Sequence, residues 1–478
     1  MKSDISAFHP PHLATSLSAR LPQLAGVADG KVVLVTGGTG SFGKAFVTTL
    51  LELGAPRKVI VLSRDEQKHY QMERDLGDPR LRFFVGDIRD RDRLRTALRG
   101  VDIAVHAAAM KHVPICEYNP IEAVQTNVNG ARNLAEAAID CGVEKVLALS
   151  TDKAVAPANL YGATKLVMEK LLIAANAYAG DRATRFSAVR YGNVMGSAGS
   201  VIPLFQTQRA RGRLTITDER MTRFWIRMCD AVALVLRGLE LMTGGEIFVP
   251  KLPTSDIVTL AEAMAPGVPR DTIGIRPGEK LHECLLSAEE ARRTRDLDEL
   301  MVIYPEFRFH AGAARVEGHP LPDGFVYSSD VAEPRLDVDG TRELLEAGEA
   351  LAARRGVGVD RGTRDRHRAG QRHPVVLRGR GRPPGGVAAA KPRTEHEVVA
   401  AAAAKLRNAR RHQHHVGIDD RVGPGGDGFL ARWPQFVQPG GIGLVRHAPG
   451  HAVQFQRLPV TVGLSPWATC DAGSGAAP

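Results

Sequence analysis

The sequence has no apolar run of about 18 residues, so no transmembrane helix is expected. It has no basic start followed by a long apolar stretch, so no secretory signal is expected either. Aromatic residues are scarce, at 5%. The five cysteines, Cys116, Cys141, Cys229, Cys284 and Cys470, include no CxxC or other metal-like spacing. That argues against a disulfide framework and a zinc site, no metal is expected, and a reducing, cytoplasmic compartment is the simplest reading. Residues 1–353 also lack a charge excess, with 43 basic against 45 acidic side chains. They give no electrostatic ground for binding nucleic acid. The formal charge of +10 comes from residues 354–478, where 18 Arg and 2 Lys face 8 acidic residues.

What is present is ordinary globular material, 44% hydrophobic and 24% charged over 478 residues. Short apolar strands are expected at Val32–Thr36, Lys58–Ser63, Arg82–Val85, Asp102–Ala107, Lys145–Ser150 and Phe186–Tyr191. Helical spacing lies between them, at Phe42–Leu53, from about Asp65, at Arg91–Arg99, Pro120–Cys141 and Tyr161–Ala179. Strands alternating with helices predict an α/β fold with a Rossmann-like, doubly wound parallel sheet. The expected organisation is a flexible lead-in over 1–30, a dinucleotide-binding domain over 31–191 and a smaller mixed substrate domain over 192–353, which would hold the strand Glu246–Val249. Residues 354–478 contain 20 Gly and 11 Pro and half of the chain's histidines, with one helix-like piece at Glu395–Arg411. They read as a largely disordered tail, or as a GC-rich gene translated out of frame.

Thr36-Gly37-Gly38-Thr39-Gly40-Ser41-Phe42-Gly43 follows the first strand and opens a helix. Glycines let the backbone approach a pyrophosphate, and the helix N-terminus offers free N–H groups. Candidate cofactor residues here are Gly37, Thr39, Gly40, Ser41, Phe42 and Gly43. The second strand ends in Ser63-Arg64, where an acid would suit the ribose of NAD; Arg64 suits a 2′-phosphate, so NADP is expected and NAD is the lesser choice. Asp87-Ile88 after the third strand offers a carboxylate to the adenine amino group, or simply a helix cap. Ala107 and Ala108 after the fourth strand are small enough to let a cofactor pass, and pack equally well in a core.

Thr151-Asp152-Lys153 lies at the carboxyl edge of the sheet, where such folds bind ligands. Tyr161 and Lys165, at i and i+4, share a helix face. An ammonium beside a phenol favours the phenolate, which can accept a hydroxyl proton. His106 and His112 have no metal-like partners and read as structural.

The cradle with Tyr161-x-x-x-Lys165 resembles the extended short-chain dehydrogenase/reductases. The strings HAAAMKHVP from His106, STDKAV from Ser150, RYGNVMG from Arg190, MTRFWI from Met221 and RPGEKLHE from Arg276 narrow the resemblance to the inverting UDP-N-acetylglucosamine 4,6-dehydratases, over about Lys31 to Leu345. That resemblance implies UDP-N-acetylglucosamine as substrate and a tightly bound, recycled NADP. It implies Tyr161, tuned by Lys165, as base at the carbon 4 hydroxyl, Lys153 as base at carbon 5 and Asp152 as acid at the carbon 6 hydroxyl. Thr151 would position the substrate, Lys165 and Tyr161 would also touch the cofactor, and Lys111 would face nicotinamide or sugar. Asn193, Arg223, Arg276 and Glu279 would surround the UDP moiety, although loop salt bridges account for them too. The product would be a 4-keto-6-deoxy sugar nucleotide inverted at carbon 5, destined for bacterial surface glycans or flagellin. A homo-oligomer is implied.

Two other readings compete. A UDP-sugar 4-epimerase would share Tyr161 and Lys165 but leave Asp152-Lys153 without a task. An NADP-sensing protein with a nucleic-acid-binding tail would not need the reacting set, and the tail has few aromatics to stack bases.

Overall fold

The computed structural model describes residues 17–307, 309 and 318–354. The expected tail, including Glu395–Arg411 and Cys470, lies outside the described residues.

Six parallel strands form as the apolar runs require. They are β1 (Val32–Thr36), β2 (Lys58–Ser63), β3 (Leu81–Val85), β4 (Ile103–His106), β5 (Lys145–Leu149) and β6 (Arg185–Val189). Their spatial order is 3-2-1-4-5-6. β1 is buried along its whole length, because helices cover both faces of the sheet. The order reverses between β1 and β4, and the crevice beyond their carboxyl ends is where such sheets bind ligands.

The sheet does not stop at β6. Ile247–Pro250 pairs parallel to β6, and Leu300–Ile303, Thr294–Asp296 and His319–Pro320 follow antiparallel, giving ten strands. The sequence reading put the first of these strands in the smaller domain; an apolar run reveals a strand but not its neighbours. The sequence also offers a short helix near Leu13–Leu24 in the lead-in; from Leu17 onward helical turns form there, and they are buried. Leu17, Leu21, Leu24, Ala25 and Ala28 lie on short helical turns and are buried in the same apolar cluster as Val232–Leu236. Burial of these side chains offsets the entropy of ordering the segment.

The rest of the described chain builds small sheets at the crevice. Thr222–Ile226 pairs with Asn193–Val194 on one side and Thr254–Asp256 on the other. Leu214–Ile216 pairs with Arg270–Thr272, and Cys284–Leu286 with Tyr327–Ser328. The expected helix Pro120–Cys141 forms with a wide π-type turn at Gln125–Asn129.

Candidate active site

The glycine turn after β1 meets the alanines after β4. Gly37 has φ +66°, and a Cβ there would lie 2.8 Å from the Ala108 Cα. Only glycine serves such a left-handed, crowded position. Ala107 and Ala108 amides donate to the Thr36 carbonyl and hydroxyl, at 3.2 and 3.3 Å. Gly40 starts the helix Ser41–Leu53, and no side chain caps that helix. Its first N–H groups are therefore left for an anion. Thr39 Oγ1 and Ser63 Oγ are hydrogen-bonded at 2.8 Å, closing the turn onto the end of β2. Phe42 instead stacks on Phe46 and packs against the core.

Arg64 is exposed, and its guanidinium lies 3.7 Å from Asp87. Asp87 is also gripped by Arg89, at 2.7 Å. Burial works against it, but the Arg89 hydrogen bonds hold the Asp87 carboxyl below its usual range. Arg89 was not singled out from the sequence; it places a second guanidinium near the end of β2. Ile88 is buried behind them. A tight glycine turn, an uncapped helix and this basic edge fit a nicotinamide dinucleotide.

At the end of β5, Asp152–Ala154 forms a single 3-10 turn. The Asp152 amide donates to the Tyr191 carbonyl at 3.1 Å, which ties the turn to the end of β6. Asp152 is fully buried; its Oδ1 accepts from Thr151 Oγ1 at 2.8 Å and from Lys153 Nζ at 3.0 Å. Oδ2 has no hydrogen-bond partner. Such an oxygen is costly unless a ligand uses it. Lys153 Nζ also reaches Asn193 Oδ1 at 3.4 Å and Glu283 Oε1 at 3.2 Å. Burial opposes its charge, but the two carboxylates hold Lys153 above the usual lysine range.

Tyr161 and Lys165 stand on the helix Leu160–Tyr178, capped by Asn159, whose Oδ1 accepts from the Gly162 amide at 2.8 Å. Gly162 lets this helix touch the Asp152–Ala154 turn, because a Cβ there would lie 2.0 Å from the Lys153 carbonyl oxygen. Burial raises the Tyr161 phenol to about 12, opposed by the Lys153 charge and a hydrogen bond with Thr151. Lys165 Nζ donates to the Leu149 carbonyl at 2.5 Å and contacts Met168 Sδ at 3.1 Å, and burial lowers it to about 8. Lys153 is thus a cation that lowers the Tyr161 phenol, while Lys165 Nζ is bonded to the end of β5.

Lys111 Nζ donates to the Ala198 carbonyl at 2.8 Å, and the Ala198 amide donates to Ser41 Oγ at 3.4 Å. The loop after Val194 is thereby fastened across the cradle. Burial lowers the Lys111 pKa. Arg223 donates to the Thr222 and Leu281 carbonyls, at 2.7 and 3.0 Å, and its charge is felt by Lys153. Arg276 and Glu279 pair with each other at 3.8 Å. Their loop joins the site through Asn159 Nδ2, which donates to the Gly278 carbonyl at 2.7 Å.

Besides Arg89, two further residues escaped the sequence reading. Asn127, in the π-type turn, exchanges hydrogen bonds with the Met110 backbone at 2.8 and 2.9 Å and donates to Thr164 at 3.0 Å. It fixes the loop after β4 against the Tyr161 helix. Glu283 closes the string RPGEKLHE, which the sequence reading quoted without assigning it a task. His106 fits its structural reading: Nδ1 is 2.8 Å from Thr36 Oγ1, and burial lowers it to about 3. Among the described residues there is no group of acidic, histidine or cysteine side chains suited to a metal ion.

Residues 33–305 match the family model described as polysaccharide biosynthesis protein, more than half of the chain. The chain belongs to this family. The chain is 50% identical over 311 residues to a Campylobacter jejuni relative named UDP-N-acetylglucosamine 4,6-dehydratase (inverting), covering 63% of this chain and 93% of the relative. A Rickettsia conorii relative named UDP-glucose 4-epimerase is 46% identical over 275 residues, covering 56% of this chain and 81% of that one. The X-ray structure of Pen from Bacillus thuringiensis superimposes with a TM-score of 0.62 at 36% identity, over 67% of this chain and 99% of that one. No described helix is long and apolar enough to cross a membrane.

Proposed function

We propose that this chain is an inverting UDP-N-acetylglucosamine 4,6-dehydratase serving bacterial glycan synthesis. The observation that carries this reading is the Asp152–Lys153 pair, hydrogen-bonded at 3.0 Å beside Tyr161. Removing water across two neighbouring carbons needs an acid and a base side by side.

NADP is the cofactor we propose, supported by Arg64 and Arg89 at the end of β2. When bound, it would supply hydride acceptance at carbon 4 and hydride return at carbon 6, with carbon 5 regaining a proton on the opposite face. Gly37, Thr39, Gly40 and Ser41 would carry the pyrophosphate, Asp87 and Ile88 the adenine side, and Ala107, Ala108, Lys111 and Lys165 the nicotinamide side. The chain's own residues move the protons. Tyr161 Oη accepts the carbon 4 hydroxyl proton, helped by the Lys153 charge. Lys153 Nζ takes the carbon 5 proton, and Asp152 gives a proton to the departing carbon 6 hydroxyl. Thr151 positions the sugar, while Asn193, Arg223, Arg276 and Glu279 bind its UDP. Arginines suit a diphosphate because their charge is permanent.

The four described cysteines are free thiols, which supports a reducing, cytoplasmic setting. Ile115, Tyr118 and Ile121 are exposed apolar side chains on adjoining short helices, which supports a homo-oligomer.

The deciding experiment is incubation with UDP-N-acetylglucosamine in deuterated water, followed by NMR. A 4-keto-6-deoxy product with deuterium at an inverted carbon 5 is expected. A 4-epimer formed without loss of water would establish the epimerase reading instead, which the Rickettsia likeness favours.

A further inference from the structure

Lys153 Nζ is hydrogen-bonded to Asp152 Oδ1 at 3.0 Å and to Asn193 Oδ1 at 3.4 Å, and is ion-paired with Glu283 Oε1 at 3.2 Å. An ammonium carries three N–H bonds, and these two hydrogen bonds use two of them. Glu283 is 3% exposed. Its amide donates to Ser329 Oγ at 2.9 Å, and its carbonyl accepts from the Ser329 amide at 2.8 Å. Its Oε2 has no hydrogen-bond partner and lies 3.9 Å from Lys280 Nζ. A carboxylate this deep is expensive unless its charge is used.

The proposed dehydration, on which this inference rests, gives it a use. Lys153 must lose a proton to act as base, and Asp152 must gain one to act as acid. Moving a single proton from Nζ to Oδ1 achieves both: one N–H bond breaks, one O–H bond forms, and no other reactant is needed. The amine then keeps two N–H bonds and one lone pair.

We propose that Glu283 is a positioning residue: its buried carboxylate, ion-paired with Lys153 at 3.2 Å, holds Nζ against the turn while Asn193 keeps one N–H bond, so that the proton Lys153 gives up goes to Asp152. The carbon 5 proton then moves to that lone pair. Its electrons form the bond between carbons 5 and 6. The carbon 6 oxygen leaves with its bonding electrons and takes the proton from Asp152 as water. Lys153 is again an ammonium and Asp152 a carboxylate, as in the structure described above.

The same carboxylate governs how firmly Lys153 holds its proton. Burial and the Arg223 guanidinium act to release it, while Asp152 and Glu283 act to retain it. Tyr161 also faces Lys153, and Lys280 faces Glu283. His282 stands further off, 2.8 Å from Thr222 Oγ1, which in turn bonds Ser329.

The test is the pH profile of kcat for dehydration of UDP-N-acetylglucosamine by the full chain. Glu283→Gln keeps the shape and removes the charge. The alkaline limb, where Lys153 loses the shared proton, is expected to move about one pH unit lower, with kcat falling more than KM rises. Lys280→Gln removes the opposite charge, and the same limb is expected to move higher. A merely structural Glu283 would lower thermal stability and leave the limb in place in both variants, which would overturn the proposal. Should Glu283→Gln not fold, a stationary limb in Lys280→Gln overturns it alone. A parent protein that yields no 4-keto product would instead remove the dehydratase reading, so the two failures are distinct.

Discussion

Arg190 grips Glu169 with two hydrogen bonds, at 3.1 and 2.7 Å, and both side chains are buried. The same guanidinium reaches Glu290 at 3.0 Å and the Leu285 carbonyl at 3.0 Å. It sits just beyond β6, so it fixes the Tyr161 helix to the sheet and to the segment after Glu283. Arg190→Met would leave two carboxylates without their partner. A loss of about 3–5 kcal/mol is expected, read from urea unfolding; an unchanged midpoint would show that the link is dispensable.

The two members of the acid–base pair are not equivalent towards Tyr161. The Lys153 charge lowers the phenol's pKa, whereas the Asp152 charge raises it. Asp152→Asn is expected to slow water loss about 10²–10⁴-fold and to shift the phenol down. Lys153→Met is expected to abolish water loss and shift it up, so proton removal at carbon 4 slows as well. Ultraviolet titration of the phenol alongside product analysis checks both; shifts in the same direction would contradict this arrangement.

Gly162 is where the Tyr161 helix touches the Asp152–Lys153 turn. A Cβ there would fall 2.0 Å from a backbone oxygen, so Gly162→Ala must push the two apart. A displacement near 1 Å costs on the order of 10² in rate. We expect kcat to fall by about that factor while dinucleotide affinity, measured calorimetrically, stays within about twofold, because the cradle is built on a different turn. Equal losses in both would show that the two turns move together.

His106 makes the fold acid-sensitive. Burial lowers its pKa from 6.5 to about 3. The unfolded chain therefore takes up a proton below about pH 6.5, whereas the folded one does not until about pH 3. Stability falls as pH falls through this window, by at most about 5 kcal/mol. His106→Asn is expected to flatten that decline in urea unfolding between pH 7 and 4; parallel declines in parent and variant would assign the acid sensitivity to other groups.

Most of the sheet was legible because each strand is a short apolar run bounded by turns, as in Val32–Thr36 and Lys58–Ser63. The set proposed to react could be picked out because it is local: Asp152 and Lys153 are neighbours, and Tyr161 lies one turn and one helix start away. Residues brought in by tertiary packing left no such trace. Glu283 meets Lys153 only because Cys284–Leu286 pairs with Tyr327–Ser328 beside the Asp152–Ala154 turn. Asn127 reads as an ordinary helical residue, since the widened turn that aims it has no periodic signal. The bond from Lys165 to the Leu149 carbonyl was hidden for a related reason: spacing gives the helix face, not the direction of a long flexible side chain.

The ten-stranded sheet has a bearing on how copies of this chain can meet. Among the described residues its two border strands are β3 and His319–Pro320; the latter is two residues long, and its proline has no N–H to offer a neighbour. That border cannot serve as a template for further strands. If copies associate instead through the exposed Tyr118 and Ile121, as proposed above, a single charged substitution at either is expected to weaken the association without touching a backbone hydrogen bond of the sheet.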